Sequence, residues 1–232
     1  MTESGYNQFC PVAMASEILC TRWTLIVLRE LAMGSARFNE LRRGMPRMSP
    51  ALLSKRLKEL ETAGVISRTA VHGSPDIAEY RLTQAGRDLR PIIEAVGIWG
   101  HKWIETEASL RNLDPDLLMW DIRRNVDPAP MPRRRSVIQI IFSDLDVACK
   151  NWWLIVESGH DVDLCKIDPG FEVDLYLSTT LRTLTEAWMG YKPIADLKEE
   201  KSLVFTGPKD LEIAFIASLK LSLFAKVERL VA

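Results

Sequence analysis

The stretch MSPALLSKRLKELETAGVISR, residues 48–68, limits what this chain can fold into more than any other. Leu53, Leu57 and Leu60 recur at the spacing of one helix face, so a single apolar stripe is expected to hold this helix against a core. Ser49 is a good N-terminal cap, and Gly64 is a good C-terminal stop. The side away from the stripe is small and basic, which packing does not explain.

The elements around this helix predict a winged helix-turn-helix. Two helices are expected before it, RWTLIVLRELAM capped by Thr21 and ARFNELRR capped by Ser35. Two strand-like runs, VISRTAV and AEYRLT, follow around the turn sequence HGSPD. In a winged helix-turn-helix the last helix enters the DNA major groove, and the hairpin reaches the backbone or the minor groove.

The charge distribution supports DNA as the partner. Between Arg37 and Lys58 the chain has seven basic residues and one acidic residue, Glu40. A run of charge is often only a solvated face. Here the basic residues surround the helix that would enter the groove, where each neutralised phosphate adds sequence-independent affinity.

Composition and motifs exclude several classes of protein. No run approaches the roughly 18 apolar residues of a membrane span, and the N-terminus lacks a signal-peptide pattern, so we expect a cytoplasmic protein without a membrane partner. The four cysteines form no CxxC pair and the three histidines lie far apart, so neither a metal nor a cofactor is expected. GxSxG, GxGxxG, P-loop and HExxH motifs are missing, and no enzymatic activity is predicted.

Residues 9–104 resemble the HxlR-type winged-helix transcriptional regulators. The resemblance rests on an early Cys-Pro and on RWTLIVLREL, RFNELRR, SPALLSKRLKELETAG and EYRLTQAGR, in that order. It implies a cytoplasmic homodimer that binds a roughly two-fold double-stranded DNA operator, usually as a repressor and sometimes as an activator. The wing tip HGSPD is less basic than in many relatives.

By position, the resemblance implies DNA contacts of two kinds. The base-edge candidates are Ser49, Ala51, Ser54 and Lys55. The phosphate candidates are Arg37, Arg47, Arg56 and Lys58, and His72 is a candidate contact in the wing. Two alternatives stay open, namely that Arg56 makes an internal ion pair with Glu59 or Glu40 and that Lys58 is only solvated.

The segment after the wing suits dimerisation. One helical side carries Ile92, Val96, Trp99 and Trp103, and exposed tryptophans need a cover. Pro91 should kink the helix or mark a break near Arg90. The resemblance implies a partner copy as the cover, and the alternative is the C-terminal half of the same chain.

Cys10 has two interpretations. Some members of the family sense oxidants or electrophiles through a cysteine in this position. A thiol near a helix N-terminus can react as a thiolate because its pKa is lowered. The alternative is a structural thiol without redox function.

The whole chain is expected to be α+β, with three parts. Residues 1–110 form the DNA-binding and dimerisation domain, 111–134 a helix and Pro-rich linker, and 135–232 a second domain. The second part of the chain changes to strand-like periodicity, with SVIQIIFSD, NWWLIVES, DVDLCKID and EVDLYLST. Its ending, residues 173–215, resembles a sterol-carrier-protein-like domain, which implies a sheet covered by helices and often an apolar tunnel.

A tunnel of this kind would suit a small hydrophobic effector. The candidate lining residues, for which ordinary core is the alternative, are Trp152, Trp153, Leu175, Leu177, Trp188, Phe205 and Phe215. Trp152 and Trp153 cannot share one face of a strand. The rival function is a lipid-binding, lipid-transfer or thioesterase-like protein in which the winged helix is a tether, and a third is a protein–protein adaptor.

Overall fold

The structure is a computed structural model, and it describes residues 5–71, 74–157 and 159–231. The chain divides into two compact units, residues 1–97 and 98–232. Each unit has its own hydrophobic core. The division falls within a helix that begins in the first unit and ends in the second.

The first unit has the element order of a winged helix-turn-helix, so that prediction is confirmed. Its elements, as far as the structure describes them, are α1 (Pro11–Leu19), α2 (Thr24–Ala32), α3 (Phe38–Arg43), α4 (Pro50–Thr62), β1 (Ile66–Val71), β2 (Ser74–Leu82), α5 (Gln84–Arg87) and α6 (Arg90–Trp103). The two strands form an antiparallel hairpin. The predicted break before α6 is present, because α5 ends at Arg87 and α6 begins at Arg90.

Two helix starts differ from the prediction. The caps placed at Thr21 and Ser35 are wrong. α2 begins after Trp23, which has a left-handed backbone with φ of 79°. α3 begins after Arg37. Ser35 is buried, and its hydroxyl donates a hydrogen bond to Glu30 Oε2 at 3.4 Å, so it is used in the core and not as a cap.

The second unit is built on a mixed five-stranded sheet. Its elements are α7 (Thr106–Leu110), α8 (Pro115–Asn125), β3 (Ser136–Phe142), α9 (Val147–Lys150), β4 (Asn151–Val156), β5 (Asp163–Cys165), β6 (Leu175–Thr179), α10 (Leu181–Met189), α11 (Ile194–Glu199), β7 (Leu203–Thr206) and α12 (Lys209–Ser218). The strand order is β5-β4-β3-β6-β7. β3 and β6 are parallel, and the other neighbours are antiparallel.

One face of this sheet forms the core with the helices. Ile138 and Ile140 of β3 share a buried cluster with residues of α8, α10, α11 and α12. The sequence assigned residues 111–134 to a helix and linker between domains. In the structure α8 and Met131 belong to this core, because α8 has an apolar side formed by Leu118, Met119 and Ile122.

The last helix is shorter than predicted. The sequence after Pro208 predicts a closing helix up to about Phe224, but α12 ends at Ser218. Leu219 is extended and pairs with Val126 in an isolated antiparallel bridge. This pairing takes the backbone of Leu219 out of the helix.

Every helix among the described residues, taken singly, is too short or too polar to span a membrane. Only α1 and α2 together would have the length and the apolar content, and they are bent by 82° relative to each other. Nor do three His, Cys, Asp or Glu side chains of these residues gather where they could hold a metal ion.

Candidate nucleic-acid interface

The leucine stripe holds α4 against the core of the first unit. Leu53, Leu57 and Leu60 are 0%, 1% and 2% exposed. They pack in one cluster with Val27 and Leu28 of α2. Burying one leucine side chain stabilises a fold by about 1.5–3 kcal/mol, so rotating α4 about its own axis would be costly. The stripe therefore fixes which side of α4 faces away from the core.

The first turn of α4 is fixed as well. Ser49 Oγ accepts a hydrogen bond from the backbone N of Leu52 at 3.3 Å, and Pro50 follows at the first helical position. Met48 and Leu53 both lie in the core cluster, as a hydrophobic staple requires. The cap and the staple set the direction of the helix N-terminus, where Ser49 is exposed.

The base-edge candidates lie on the exposed side of α4. Ala51, Ser54 and Lys55 are exposed, and so is the phosphate candidate Lys58. The side chain of Lys55 is 68% exposed, and its Nζ lies 4.0 Å from Glu59 Oε1 in a loose ion pair. Small side chains beside a flexible ammonium group allow a helix to enter the major groove and a lysine to reach guanine O6 or N7.

Arg56 is bound within the protein. Its side chain is 11% exposed and pairs with Glu59, the partner that one alternative named. Its Nε also donates a hydrogen bond to the backbone O of Arg22 at 3.0 Å. Arg56 thus ties α4 to the turn before α2, and a phosphate contact of Arg56 stays a prediction.

Arg37 lies beside the wing. Its backbone pairs with Glu79 in an isolated antiparallel bridge, and the backbone N of Tyr80 donates to the O of Ala36 at 2.8 Å. Residues 36–37 therefore extend the hairpin by a short third segment. The side chain of Arg37 is 52% exposed, and its Nε lies 3.5 Å from Glu79 Oε1.

Glu79 connects two of the basic residues near the wing. Arg81 donates to Glu79 Oε2 at 2.7 Å. The hydrogen bond and charge of Arg81, followed by those of Arg37, hold the pKa of the Glu79 carboxyl below its ordinary value. Arg47, the remaining phosphate candidate, is exposed just before α4. His72 lies outside the described residues.

The sequence did not predict a role for Glu30. It is fully buried in α2, and its Oε1 accepts hydrogen bonds from Arg29 Nε at 3.1 Å and Nη2 at 2.6 Å. The same Nη2 donates to the backbone O of Gly44 at 3.1 Å, in the turn between α3 and α4. A buried carboxylate is costly without such partners. The signal in the sequence is the adjacent pair Arg29 and Glu30 inside a helix whose other residues are mostly apolar.

The comparisons with known proteins match this part of the chain. Residues 18–108 match the family model described as HxlR-like helix-turn-helix. The chain is 38% identical over 100 residues to YvaP of Bacillus subtilis (strain 168), an uncharacterized HTH-type transcriptional regulator, and the match covers 43% of this chain and 93% of YvaP. The chain belongs to the HxlR-like helix-turn-helix family.

Two further proteins are similar to part of this HxlR-like chain. It is 36% identical over 106 residues to sll1512 of Synechocystis sp., also an uncharacterized HTH-type transcriptional regulator, with 46% of this chain and 77% of that protein covered. The reduced form of the transcriptional regulator YodB from B. subtilis is 27% identical, with 42% and 97% covered and a TM-score of 0.37. The family assignment makes the chain a helix-turn-helix transcriptional regulator and not an enzyme.

The dimer candidates of this HxlR-like protein lie exposed on α6. Ile92, Val96, Trp99 and Trp103 are 48%, 50%, 61% and 50% exposed, and their spacing places them on one helical side. None of the residues of α1 is buried, and Val12 is among its exposed apolar side chains. Exposed apolar surface of this kind is typical of an interaction site.

Cys10 is at the N-cap of α1. Hydrogen bonds from the backbone of Ala13, and then of Val12, lower the pKa of its thiol. A lowered pKa favours the thiolate, which is the reactive form. A redox role of Cys10 stays a prediction, and a structural thiol stays the alternative. The four cysteines of the HxlR-like protein are all free.

All the candidate effector-lining residues except Trp153 belong to one packed core or lie against it. Trp152, Trp153, Leu175, Leu177, Trp188 and Phe215 are buried, and Phe205 is half-buried. An apolar cavity of about 10 Å³ adjoins Leu177, Trp188 and Phe205, which is space for roughly one water molecule.

The two adjacent tryptophans of β4 face opposite sides of the sheet, as predicted. Trp152 lies in the core cluster, and Trp153 pairs with Gln139 and Cys165 across the neighbouring strands. Trp152 therefore packs among the lining candidates, while Trp153 points away from the cavity.

Proposed function

We propose that this protein is a cytoplasmic homodimeric repressor in which two copies of α4 enter the major groove of a two-fold operator. The exposed side of α4 is the observation that carries the proposal. The helix is capped by Ser49 and anchored by leucines, and its exposed side carries small side chains around Lys55. The proposed base-edge contacts are Ser49, Ala51, Ser54 and Lys55, and the proposed phosphate contacts are Arg37, Arg47 and Lys58.

Two other candidates have different roles in the proposal. Arg56 positions α4 through its bonds to Glu59 and to the backbone of Arg22. His72 would contact the backbone or the minor groove from the wing, as the hairpin of a winged helix does.

The exposed apolar sides of α6 and α1 support the dimer. We propose that the patch around Trp99 and Trp103 packs against a second copy, so that the two copies of α4 are about 34–36 Å apart, one turn of DNA. A repressor then acts by occupying the operator.

We further propose that residues 135–232, together with α8, form a sterol-carrier-like effector domain. Support comes from the helix-covered sheet and from the wholly apolar lining of its small cavity. Leu219 and Leu221, which follow the last helix, form part of this lining. A small hydrophobic effector would have to displace them, because the cavity as it stands has space for roughly one water molecule.

A mobility-shift experiment on the DNA upstream of the gene and its neighbours tests DNA binding. Wild type is expected to give a specific shift that weakens with salt. Lys55→Ala should lose about 1–3 kcal/mol of specific affinity. Lys226→Ala, which removes the charge of another exposed lysine, is the matched control and should bind like wild type.

Two results would contradict the proposal. One is equal binding of operator and unrelated DNA at both a low and a high salt concentration. The other is equal affinity of the two lysine variants, since Lys55 would then contribute nothing beyond its charge.

A further inference from the structure

The chain after α12 forms an irregular strap, residues 219–231, on the second unit. Its first residue, Leu219, pairs with Val126. The backbone N of Ser222 donates to the O of Trp188 at 3.0 Å. The start of the strap is therefore bonded to the residue that follows α8 and to the end of α10.

A glycine makes room for the middle of the strap. Gly190 has φ of 72°, and a Cβ built on it would lie 2.4 Å from the backbone O of Ala225. A backbone approach this close requires glycine. Gly190 thus allows the backbone of the strap to pack directly against the end of α10.

The end of the strap caps α6. Arg229 Nη1 donates to the O of His101 and Nη2 to the O of Ile104, both at 2.8 Å. The backbone N of Leu230 donates to the O of Lys102 at 3.1 Å. The last carbonyls of a helix have no partner within it, and a cation is favourable there. The strap thus provides both the donors and the charge that this terminus needs.

His101 is enclosed by the strap and by Tyr191, which follows α10. It is 5% exposed, with its ring 5.5 Å from Tyr191 and 6.5 Å from Phe224 of the strap. The Arg229 guanidinium lies 4.4 Å from the centre of the Tyr191 ring. No group among the described residues bonds to His101 Nδ1. A proton added to Nδ1 would be buried beside the Arg229 cation, and it would have no hydrogen-bond acceptor.

We propose that residues 219–231 are a proton-operated latch: neutral His101 keeps the strap docked on the end of α6, and a proton on His101 releases it. Release would uncap the last turn of α6, which carries the exposed Trp103. This inference rests on the proposed function in one respect, that α6 is the dimer helix. The dimer is therefore expected to weaken in acid.

The direction of the effect follows from the pKa of His101. Burial, and then the charge of Arg229, lower this pKa, while a hydrogen bond with the backbone of Val227 opposes the shift. The ionisable groups that face the ring are Arg229 and the Tyr191 phenol, and no described carboxylate contributes. A released, solvated histidine has a pKa of about 6.5. Docking is thus favoured above that pH and lost as the pH falls through the docked pKa.

Hydrogen exchange of the full chain tests the latch. Protection factors of the amides of residues 98–104 are compared at about pH 8 and about pH 5.5, on either side of the ordinary histidine pKa. We expect the wild type to lose up to about tenfold of its protection in acid, because one pH unit below a released pKa of about 6.5 a single histidine can change the docking equilibrium by at most about that factor. Arg229→Gln should have low protection at both pH values.

Two variants are the controls. Lys226→Gln removes the same charge from an exposed strap residue and should behave like wild type. His101→Phe keeps an aromatic ring in place without a titrating group and should stay protected in acid. The latch is overturned if wild-type protection is the same at both pH values, or if His101→Phe loses it as wild type does.

Sedimentation equilibrium of the same samples separates the latch from the dimer. A wild-type dimer that dissociates more readily in acid, with His101→Phe unaffected, supports both. If protection follows His101 in a chain that is monomeric at every concentration, the latch stands and the dimer proposal fails. If protection changes with pH but the dimer dissociates equally at both pH values, release of the strap does not weaken the dimer. That result overturns the link between the latch and the dimer.

Discussion

At the scale of single residues, two helical glycines should respond oppositely to one added methyl group. A Cβ on Gly86 would lie 2.2 Å from the backbone O of Val65. That oxygen cannot easily move, because it accepts hydrogen bonds from the backbone N and the hydroxyl of Thr83, both at 3.0 Å. A Cβ on Gly100 of α6 would meet only the tip of Ile104, at 3.6 Å.

We therefore expect Gly86→Ala to lower the free energy of unfolding by about 1–3 kcal/mol through overpacking. Gly100→Ala should raise it by up to about 1 kcal/mol, since alanine is the better helix former. Urea denaturation of both variants measures the difference. Equal changes in the two variants would show that Val65 does not restrict position 86.

The carboxyl of Glu79 should titrate below its ordinary pKa. Arg81 is the larger cause and Arg37 the smaller, so Arg81→Ala should raise the pKa of Glu79 more than Arg37→Ala does. Because the folded pKa is lowered, this carboxylate stabilises the fold above the ordinary carboxyl pKa, and the effect is lost as the pH falls through the folded pKa. An NMR titration of Glu79 in the three proteins checks the order, and the reverse order would contradict these contacts.

At the scale of elements, the start of α4 was predictable and the start of α2 was not. Ser49 and Pro50 are local signals, and a cap needs only the next turn of the helix. The cap placed at Thr21 was wrong because Trp23 takes up a left-handed backbone, which a tryptophan rarely does. The Arg56 contact with Arg22 joins residues 34 positions apart, so no local pattern could decide between phosphate and internal partner.

Ser49 can be tested separately as cap and as DNA contact. Ser49→Ala removes the bond to the backbone N of Leu52 and should cost about 1 kcal/mol of stability. Ser49→Asp keeps a capping oxygen, and its charge suits a helix N-terminus. It should therefore fold stably but bind the operator more weakly than Ser49→Ala, because the charge repels phosphates. Operator affinity measured beside thermal unfolding checks this, and unchanged binding by Ser49→Asp would place Ser49 away from DNA.

At the scale of the whole molecule, the strands of the second unit were predictable but its closure was not. Alternation in EVDLYLST is a local pattern, and Leu175 and Leu177 are indeed buried. The place of α8 in the core, and the strap held by Arg229 on Ile104, depend on contacts between distant residues, 125 positions apart in the second case. From the sequence alone, α8 and the residues after it resemble a linker, and the first residues of the strap resemble the end of a helix.

Dimerisation is also a property of the whole molecule, and two equally exposed apolar residues can test it. Trp99 on α6 is 61% exposed and Ile213 on α12 is 60% exposed. Trp99→Lys places a charge in the proposed interface and should shift sedimentation towards the monomer, because a buried unpaired charge is strongly unfavourable. Ile213→Lys should leave the dimer intact.

Operator binding should show the same difference between the Trp99 and Ile213 variants. A dimer gains affinity from binding two half-sites at once, since the second binding event becomes intramolecular. Wild type and Ile213→Lys should therefore prefer a full two-fold site to a single half-site, and Trp99→Lys should bind both alike. If Trp99→Lys keeps the preference, the dimer of this protein must be formed by a surface other than the exposed side of α6.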